Sequence, residues 1–496
     1  MKKRSSGILM HISSLPGRFG IGSVGKEAYD FVDFLVKAGQ KYWQILPLGH
    51  TSYGDSPYQC FSAFAGNPHF IDLDILKAEG LLEEDDYIKE NFGEDLEKID
   101  YGLIFEKRNE ILNLAYLNFK KRNLNRHEDF LYKKFKKENS FWLEDYSEYM
   151  AIKDKFNLKS WLEWDEDIKN REQRAMDRYR KELKEEMEYY KFIQFIFFKQ
   201  WNELKEYANY NGVEIIGDLP IYVAADSADM WSNKKMFKID ENDMPKVVAG
   251  CPPDAFAVTG QLWGNPIYDW DEMDKEGYTW WISRIKESLK IYDMVRIDHF
   301  RGFESYWEIP YGDTTAENGE WVKGPGIKLF NAIKEALGEV NIIAEDLGFM
   351  TDEVIEFRKE TGFPGMKVLQ FGFGGEDSGD LPHNYEQNTI AYLGTHDNDT
   401  IMGWTENLAT KKEIEKAKDY LNVKDLNSED YLREIWKSVS FLAVVTMQDL
   451  LGLGSEARMN TPSVLGGNWQ WRVKKEYLTD EVAEELKDLT VLYGRI

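Results

Sequence analysis

The chain is poor in everything that would tie it to metal or disulfide chemistry. Its two cysteines, Cys60 and Cys251, lie far apart and form no CxxC pattern, which argues against a disulfide scaffold and a cysteine-based zinc site. Seven histidines show no HExxH spacing, so neither a metal nor a cofactor is expected. Basic residues are in the minority, 62 against 88 acidic for a net charge of −26. Nucleic acids and anionic membranes are recognised by basic patches, so neither is an expected partner. No apolar run reaches 18 residues, and the basic opening is followed too soon by His11 and the Pro16-Gly17 turn to form a signal-peptide core. A cytoplasmic location is the expectation. Oligomeric state has no signature here.

What the chain has in plenty is aromatic surface: 16 Trp, 27 Tyr and 28 Phe. Many belong to a core. Others sit in Gly-, Pro- and Asn-rich loops, where flat rings suit the apolar faces of sugars.

Short apolar runs ending in polar or Gly residues recur along the chain: 7–12, 42–48, 213–217, 294–298, 341–344, 366–371, 389–393 and roughly 449–454. Helical patterns alternate with them. One is capped by Ser23 and runs through Ala38; others cover 280–291 and 328–337. Another opens at Thr351, with Asp352 and Glu353 in its first turn, and closes at Gly362. Eight strands alternating with helices point to an α/β fold, a (β/α)8 TIM barrel. An open doubly wound sheet is the alternative, but no GxGxxG follows an early strand. Such a barrel needs only ~250 residues, so large insertions are expected within a single catalytic barrel spanning 1–496. Residues 70–205, with a charged, helix-favouring centre, read as a helical subdomain. Residues 223–276, rich in Pro, Gly, Trp and Asp, read as a loop-rich one that carries an active-site loop.

The stretch Met294–Gly302 organises the rest. Strand side chains alternate between faces, so Val295 and Ile297 share one and Arg296 and Asp298 the other. A neighbouring cation keeps a carboxylate ionised, which makes Asp298 a candidate nucleophile or electrostatic stabiliser. On this stretch alone a structural ion pair fits as well. Four of the proposed strands end in acids, at Asp218, Asp298, Glu345 or Asp346, and Asp397. Carboxylates crowded at one barrel mouth repel each other, and such crowding raises the pKa of one of them towards general-acid duty. Paired acids, no metal motif and loop aromatics suggest chemistry at a glycosidic bond. Alternation does not choose between Glu345 and Asp346, nor between His396 and Asp397.

An ordered series of motifs resembles one family. It comprises Arg-Ile-Asp-His-Phe-Arg-Gly (296–302), Ile-Ala-Glu-Asp-Leu-Gly (343–348) and Gly-Thr-His-Asp-Asn-Asp-Thr (394–400). Further segments are Gly-Asp-Ser-Pro-Tyr-Gln (54–59), Gly-Asp-Leu-Pro-Ile-Tyr-Val-Ala (217–224), Pro-Pro-Asp-Ala-Phe (252–256), Gly-Gln-Leu-Trp-Gly-Asn-Pro-Ile-Tyr-Asp-Trp (260–270) and Gly-Asn-Trp-Gln-Trp-Arg (467–472). Together they look like the amylomaltases, the 4-α-glucanotransferases or disproportionating enzymes related to α-amylases. The resemblance implies Asp298 as nucleophile, Glu345 as general acid/base and Asp397 as third acid, in a retaining transfer between α-1,4-glucans. It implies substrate contacts at Ser56, Tyr58, Asp218, Trp263, Arg296, His396 and Asn468, and a second glucan site at Tyr53 and Tyr101. The Asn-His pair that supports calcium in α-amylases is replaced after Asp218 by Leu-Pro-Ile-Tyr-Val, so calcium is not implied. Three other readings stay open: an α-1,4-glucan hydrolase, a non-catalytic glucan-binding protein, and a sugar-phosphate isomerase on the same fold. Two aspartates within 395–400 would repel phosphate and count against the last.

Overall fold

The computed structural model describes residues 3–496 except 53, 123–125, 254–256, 376–377 and 465, with only the backbone of residue 126. In chain order the strands are β1 Ser5–Leu9, β2 Tyr42–Gln44, β3 Glu214–Leu219, β4 Val247–Cys251, β5 Gln261–Pro266 and β6 Met294–Ile297. They continue as β7 Ser305–Pro310, β8 Glu320–Lys323, β9 Ile342–Ala344, β10 Gly365–Val368, β11 Thr389–Tyr392 and β12 Leu442–Thr446. Eight of them form one parallel sheet in the order β10-β11-β12-β1-β2-β3-β6-β9. The other four make an antiparallel sheet, β5-β4-β7-β8.

The parallel sheet is a nearly closed barrel. Strands covered on both faces read as unbroken apolar runs, and β12, Leu-Ala-Val-Val-Thr, is buried throughout. At the seam between β9 and β10, the Ala344 N–H donates to Pro364 O at 2.9 Å. Two residues further along, the Met366 N–H donates to the Asp346 side chain at 2.6 Å instead of to a backbone carbonyl.

Helices cover the barrel, and their sequences say why. In Lys26–Lys37 the buried Ala28, Phe31, Val32 and Leu35 fall three or four apart on one face. The helix Asp352–Thr361 begins at Thr351, whose hydroxyl accepts the Val354 N–H, and stops at Gly362 in the left-handed conformation, φ 75°. Between β2 and β3 the long elements are helices, Tyr101–Lys121, Arg126–Glu138, Ser140–Lys155 and Lys184–Tyr210. The last runs directly towards β3 and is pinned to the barrel where Trp201 Nε1 donates to Ile291 O at 3.0 Å.

Two expectations need correction. The eighth barrel strand is Leu442–Thr446, not 449–454; Asp449 lies in the short helix Met447–Leu450, capped by Thr446. Two short apolar runs, 441–445 and 450–453, lie close together here, and periodicity alone cannot tell such a run in a buried strand from one in a buried helix. The first helix is capped at Gly25, not Ser23. The Ser23 hydroxyl donates to Asp72 at 2.7 Å and holds a neighbouring loop instead.

β1 packs so tightly on β2 that Gly7 has no room for a side chain. A Cβ there would sit 2.6 Å from Tyr42 O and 2.7 Å from Tyr42 Cβ, and a paired strand backbone cannot yield. Gly7→Ala is therefore expected to lower unfolding free energy by about 1–3 kcal/mol, the range for an overpacked core, in urea or thermal unfolding.

Candidate active site

At the C-terminal ends of β3 and β6 a buried guanidinium joins two acids. Arg296 Nη1 donates to Asp218 Oδ2 at 2.6 Å and Nη2 donates to Asp298 Oδ1 at 2.9 Å. Its Nε lies 3.4 Å from Met366 Sδ on β10. All three donor directions of the fork are used, which a lysine could not reproduce. The Tyr58 hydroxyl donates to Asp218 Oδ2 at 2.7 Å and lies 2.8 Å from His396 Nε2. Because its hydrogen goes to the carboxylate, the phenol oxygen accepts from a protonated Nε2. The two rings stack at 5.3 Å with 15° between planes. His396 Nε2 is also 3.3 Å from Asp397 Oδ2, whose other oxygen accepts from Asn460 Nδ2 at 2.6 Å.

The alternation left open in the sequence is resolved at β9. Glu345 turns towards Asp298: its Oε2 accepts the His299 N–H at 2.7 Å and its Oε1 the Leu347 N–H at 3.1 Å. His299 reaches it by adopting the left-handed conformation, φ 50°, a strained choice for a residue with a Cβ. Asp346 points the other way, with Oδ2 2.8 Å from Arg358 Nε. His396 and Asp397 both reach the cluster, so those alternatives were not exclusive.

Glu345 and Asp298 are unequal acids. Burial, with Asp346 adding to it, pushes Glu345 up to about 7 against the pull of Arg296 and its two N–H donors. Burial also pushes Asp298 up, with Asp218, Glu345 and Asp397 contributing, and Arg296 opposes it. The asymmetry is geometric: Asp298 touches the guanidinium and keeps 29% of its side chain exposed, while Glu345 is only 8% exposed and has no cation in contact. The guanidinium contact thus favours the charged form of Asp298, and Glu345 lacks such a partner. His396 is held neutral by burial.

The remaining expected residues differ in what holds them. Ser56 is one step removed, its hydroxyl accepting the Tyr58 N–H at 3.2 Å. Trp263 meets His299 edge-on at 4.8 Å, with its Nε1 donating to Gln261. Asn468 bonds to its own loop, accepting from Thr461 N at 2.9 Å and donating to Val464 O at 2.9 Å. Tyr101 is half-buried and donates to Trp469 O at 2.7 Å, bracing the loop whose Trp469 ring lies 5.8 Å from Tyr58. Tyr53 lies outside the described residues. Sequence reasoning missed Asn460, Trp469 and Met366, and also Arg458, which donates to Asp397 O at 2.9 Å. Trp469 falls within the 467–472 motif; Asn460, Met366 and Arg458 carry no local signal, and only the closed barrel brings them in. Among the described residues no group of three or more His, Cys, Asp and Glu side chains is placed to hold a metal ion, and no helix is long and apolar enough to cross a membrane.

A family model described as 4-alpha-glucanotransferase matches residues 10–479. The chain belongs to that family. The 4-alpha-glucanotransferase of Clostridium butyricum is 55% identical over 98% of this chain and all of its own, and that of Streptococcus pneumoniae 58% over 100% and 98%. Among solved structures, the amylomaltase of Streptococcus agalactiae, determined in complex with acarbose, superposes with a TM-score of 0.96 at 49% identity, covering 99% of this chain and 100% of that one. The activity is that of the family, 4-α-glucan transfer.

The raised proton affinity of Glu345 has a consequence for stability. In the unfolded chain a glutamate titrates near ~4.3, and in the fold this one titrates at about 7. The folded state binds the extra proton between these values, so Glu345 stabilises below ~4.3 and the contribution is lost as pH rises through 7. Wild type should thus fall in Tm relative to Glu345→Gln across that window, with a flat difference above pH 8. Paired thermal melts from pH 4 to 9 measure it.

Proposed function

We propose that this 4-α-glucanotransferase works by a retaining, double-displacement mechanism on α-1,4-linked maltodextrins of the cytoplasm. Asp298 attacks the anomeric carbon of the donor while the bond to the departing sugar oxygen breaks. Glu345 gives that oxygen its proton. In the second half Glu345 takes the proton from the 4-hydroxyl of an acceptor glucan, which displaces Asp298 and restores the α linkage. Arg296 keeps Asp298 anionic between turnovers; Asp397 and His396 hold hydroxyls of the sugar at the point of cleavage. Ser56, Tyr58, Asp218, Trp263 and Asn468 line the donor and acceptor positions, with Tyr58 as a stacking face. Tyr53 and Tyr101 belong to a second glucan contact.

One observation carries the reading: a buried acid raised to about 7 faces, across a single His299 N–H, an acid paired with arginine. The strands that bear them, β6 and β9, are neighbours in the sheet. Adjacent strands lie ~4.8 Å apart, the scale of the ~5–5.5 Å separation of a nucleophile and acid/base pair and below the ~6.5–9.5 Å that leaves room for a water in inverting enzymes. The acarbose complex of the Streptococcus agalactiae relative supports a glucan-like occupant. Preference for a sugar acceptor over water is ascribed to the 252–266 segment, in which Trp263 stands against His299; Phe256 lies outside the described residues.

Maltotriose incubated with the protein is expected to give glucose together with longer α-1,4-glucans. Glucose and maltose without longer chains would mark a hydrolase. Asp298→Asn and Glu345→Gln should each lower the transfer rate by about 10²–10⁴-fold with circular dichroism unchanged, measured by glucose release. Unaltered activity in Glu345→Gln would overturn the assignment.

A further inference from the structure

We propose that Asp346 is a positioning residue of the transfer reaction: by holding β10 against β9 at the barrel seam, it seats the Met366 sulfur on Arg296 and so sets where Asp298 stands relative to Glu345. The inference rests on the roles of Asp298 and Glu345 given above and adds residues outside that set.

The argument begins with a gap in the backbone ladder. β9 ends at Ala344, and beyond its bond to Pro364 the next amide of β10, Met366 N–H, faces Asp346. A buried N–H left without an acceptor costs about 1–3 kcal/mol, and the Asp346 carboxylate supplies the acceptor at 2.6 Å. Residue 365 must be glycine for the carboxylate to come so near, because a Cβ there would lie 2.3 Å from Asp346 Oδ2. From the outer side, Arg358 on the helix Asp352–Thr361 closes on the same carboxylate at 2.8 Å, a charge contact without hydrogen-bond alignment, while its Nη1 donates to Phe363 O at 3.2 Å. Asp346 is thus fixed from both sides.

Met366 carries that fixation inward. Its backbone is held by Asp346, and its sulfur lies 3.4 Å from Arg296 Nε, the one donor group of the guanidinium not given to a carboxylate. The chain of contacts Arg358–Asp346–Met366–Arg296–Asp298 therefore starts beside the acid/base and ends on the nucleophile. A strand-pairing bond made by a side chain serves here as a link between the two catalytic carboxyls.

Electrostatics gives the link a readout that packing alone would not. The charged groups facing Glu345 are Arg296 and Asp298 from β6 and its end, Arg301 from the turn after it, and Asp346, the next residue at the end of β9. Asp346 itself faces Arg358 and Lys367. Its charge raises Glu345, so an amide at position 346 should let Glu345 deprotonate at lower pH. Arg296 lowers Asp298, so loosening Arg296 should let Asp298 hold its proton to higher pH.

Two variants test this, each assayed for transfer on maltotriose from pH 4 to 9 with Tm recorded. Asp346→Asn keeps an oxygen for the Met366 N–H but removes the charge. It is expected to lower kcat about tenfold at little change in KM and to move the alkaline limb of the profile down. Met366→Leu conserves volume and removes only the sulfur. It is expected to lower kcat several-fold and to move the acid limb up, with Tm close to wild type. A buttress without a positioning role would lower Tm and the active fraction but leave both limbs in place, and that result in either folded variant overturns the proposal. Should Asp346→Asn fail to fold, Met366→Leu decides alone. Glu345→Gln is the control: if it retains transfer, the acid/base assignment fails, whatever the two variants do.

Discussion

Everything at the barrel mouth depends on one buried cation held by two acids. Arg296 is almost fully enclosed, and such a charge is tolerable only when it is paired and hydrogen-bonded. Asp218 and Asp298 meet that need from adjacent strands, and the pairing gives the two acids different work. Asp218 is buried and its Oδ2 is bound twice, by Arg296 and by Tyr58. Asp298 is bound once and partly open, so it has an oxygen available to a substrate. One guanidinium thereby holds one neighbour fully enclosed and leaves the other partly open.

The order of strands turns that local pairing into a site. β3, β6 and β9 are consecutive in the sheet, so Asp218, Asp298 and Glu345 stand in a row at its carboxyl edge. From the other side come Tyr58 and His396, bonded to each other although 338 residues apart. These groups converge because the sheet curls almost onto itself. The acids come together only as the barrel closes, and the burial that closure brings raises the proton affinity of Glu345.

Much of this was legible beforehand. Arg296 and Asp298 share a strand face because side chains alternate, and the structure puts them in contact. Thr351 and Gly362 bound a helix for the reasons that caps work anywhere. Other features had no local signature. Ile342 and Ile343 are equally apolar, so nothing in β9 said which of Glu345 and Asp346 faces inward; the turn at His299, which offers its N–H to one of them, decides that. Asn460 and Arg458 hold Asp397 from a loop some 60 residues downstream. The eighth strand was misplaced because two short apolar runs, 441–445 and 450–453, lie close together on either side of Thr446-Met447-Gln448-Asp449, and only pairing with β1 and β11 shows which of them is the strand.

The seam shows why two successive acids at a strand end are poorly read from pattern. Glu345 and Asp346 are successive acids at a strand end, and alternation must send one inward and one outward. An outward carboxylate on a barrel normally meets a covering helix, where burial without a partner would raise its energy. Here it meets Arg358 and an amide of the neighbouring strand, so the same alternation that aims Glu345 into the cluster delivers an acceptor to the place where the backbone ladder is incomplete. Function and closure are therefore not separable at this point of the sheet. A substitution that disturbs the outward acid reaches the inward one through the strand they share, and reaches Asp298 through Met366 and Arg296. That coupling follows from geometry: neighbouring residues of one strand serve the two sides of one wall.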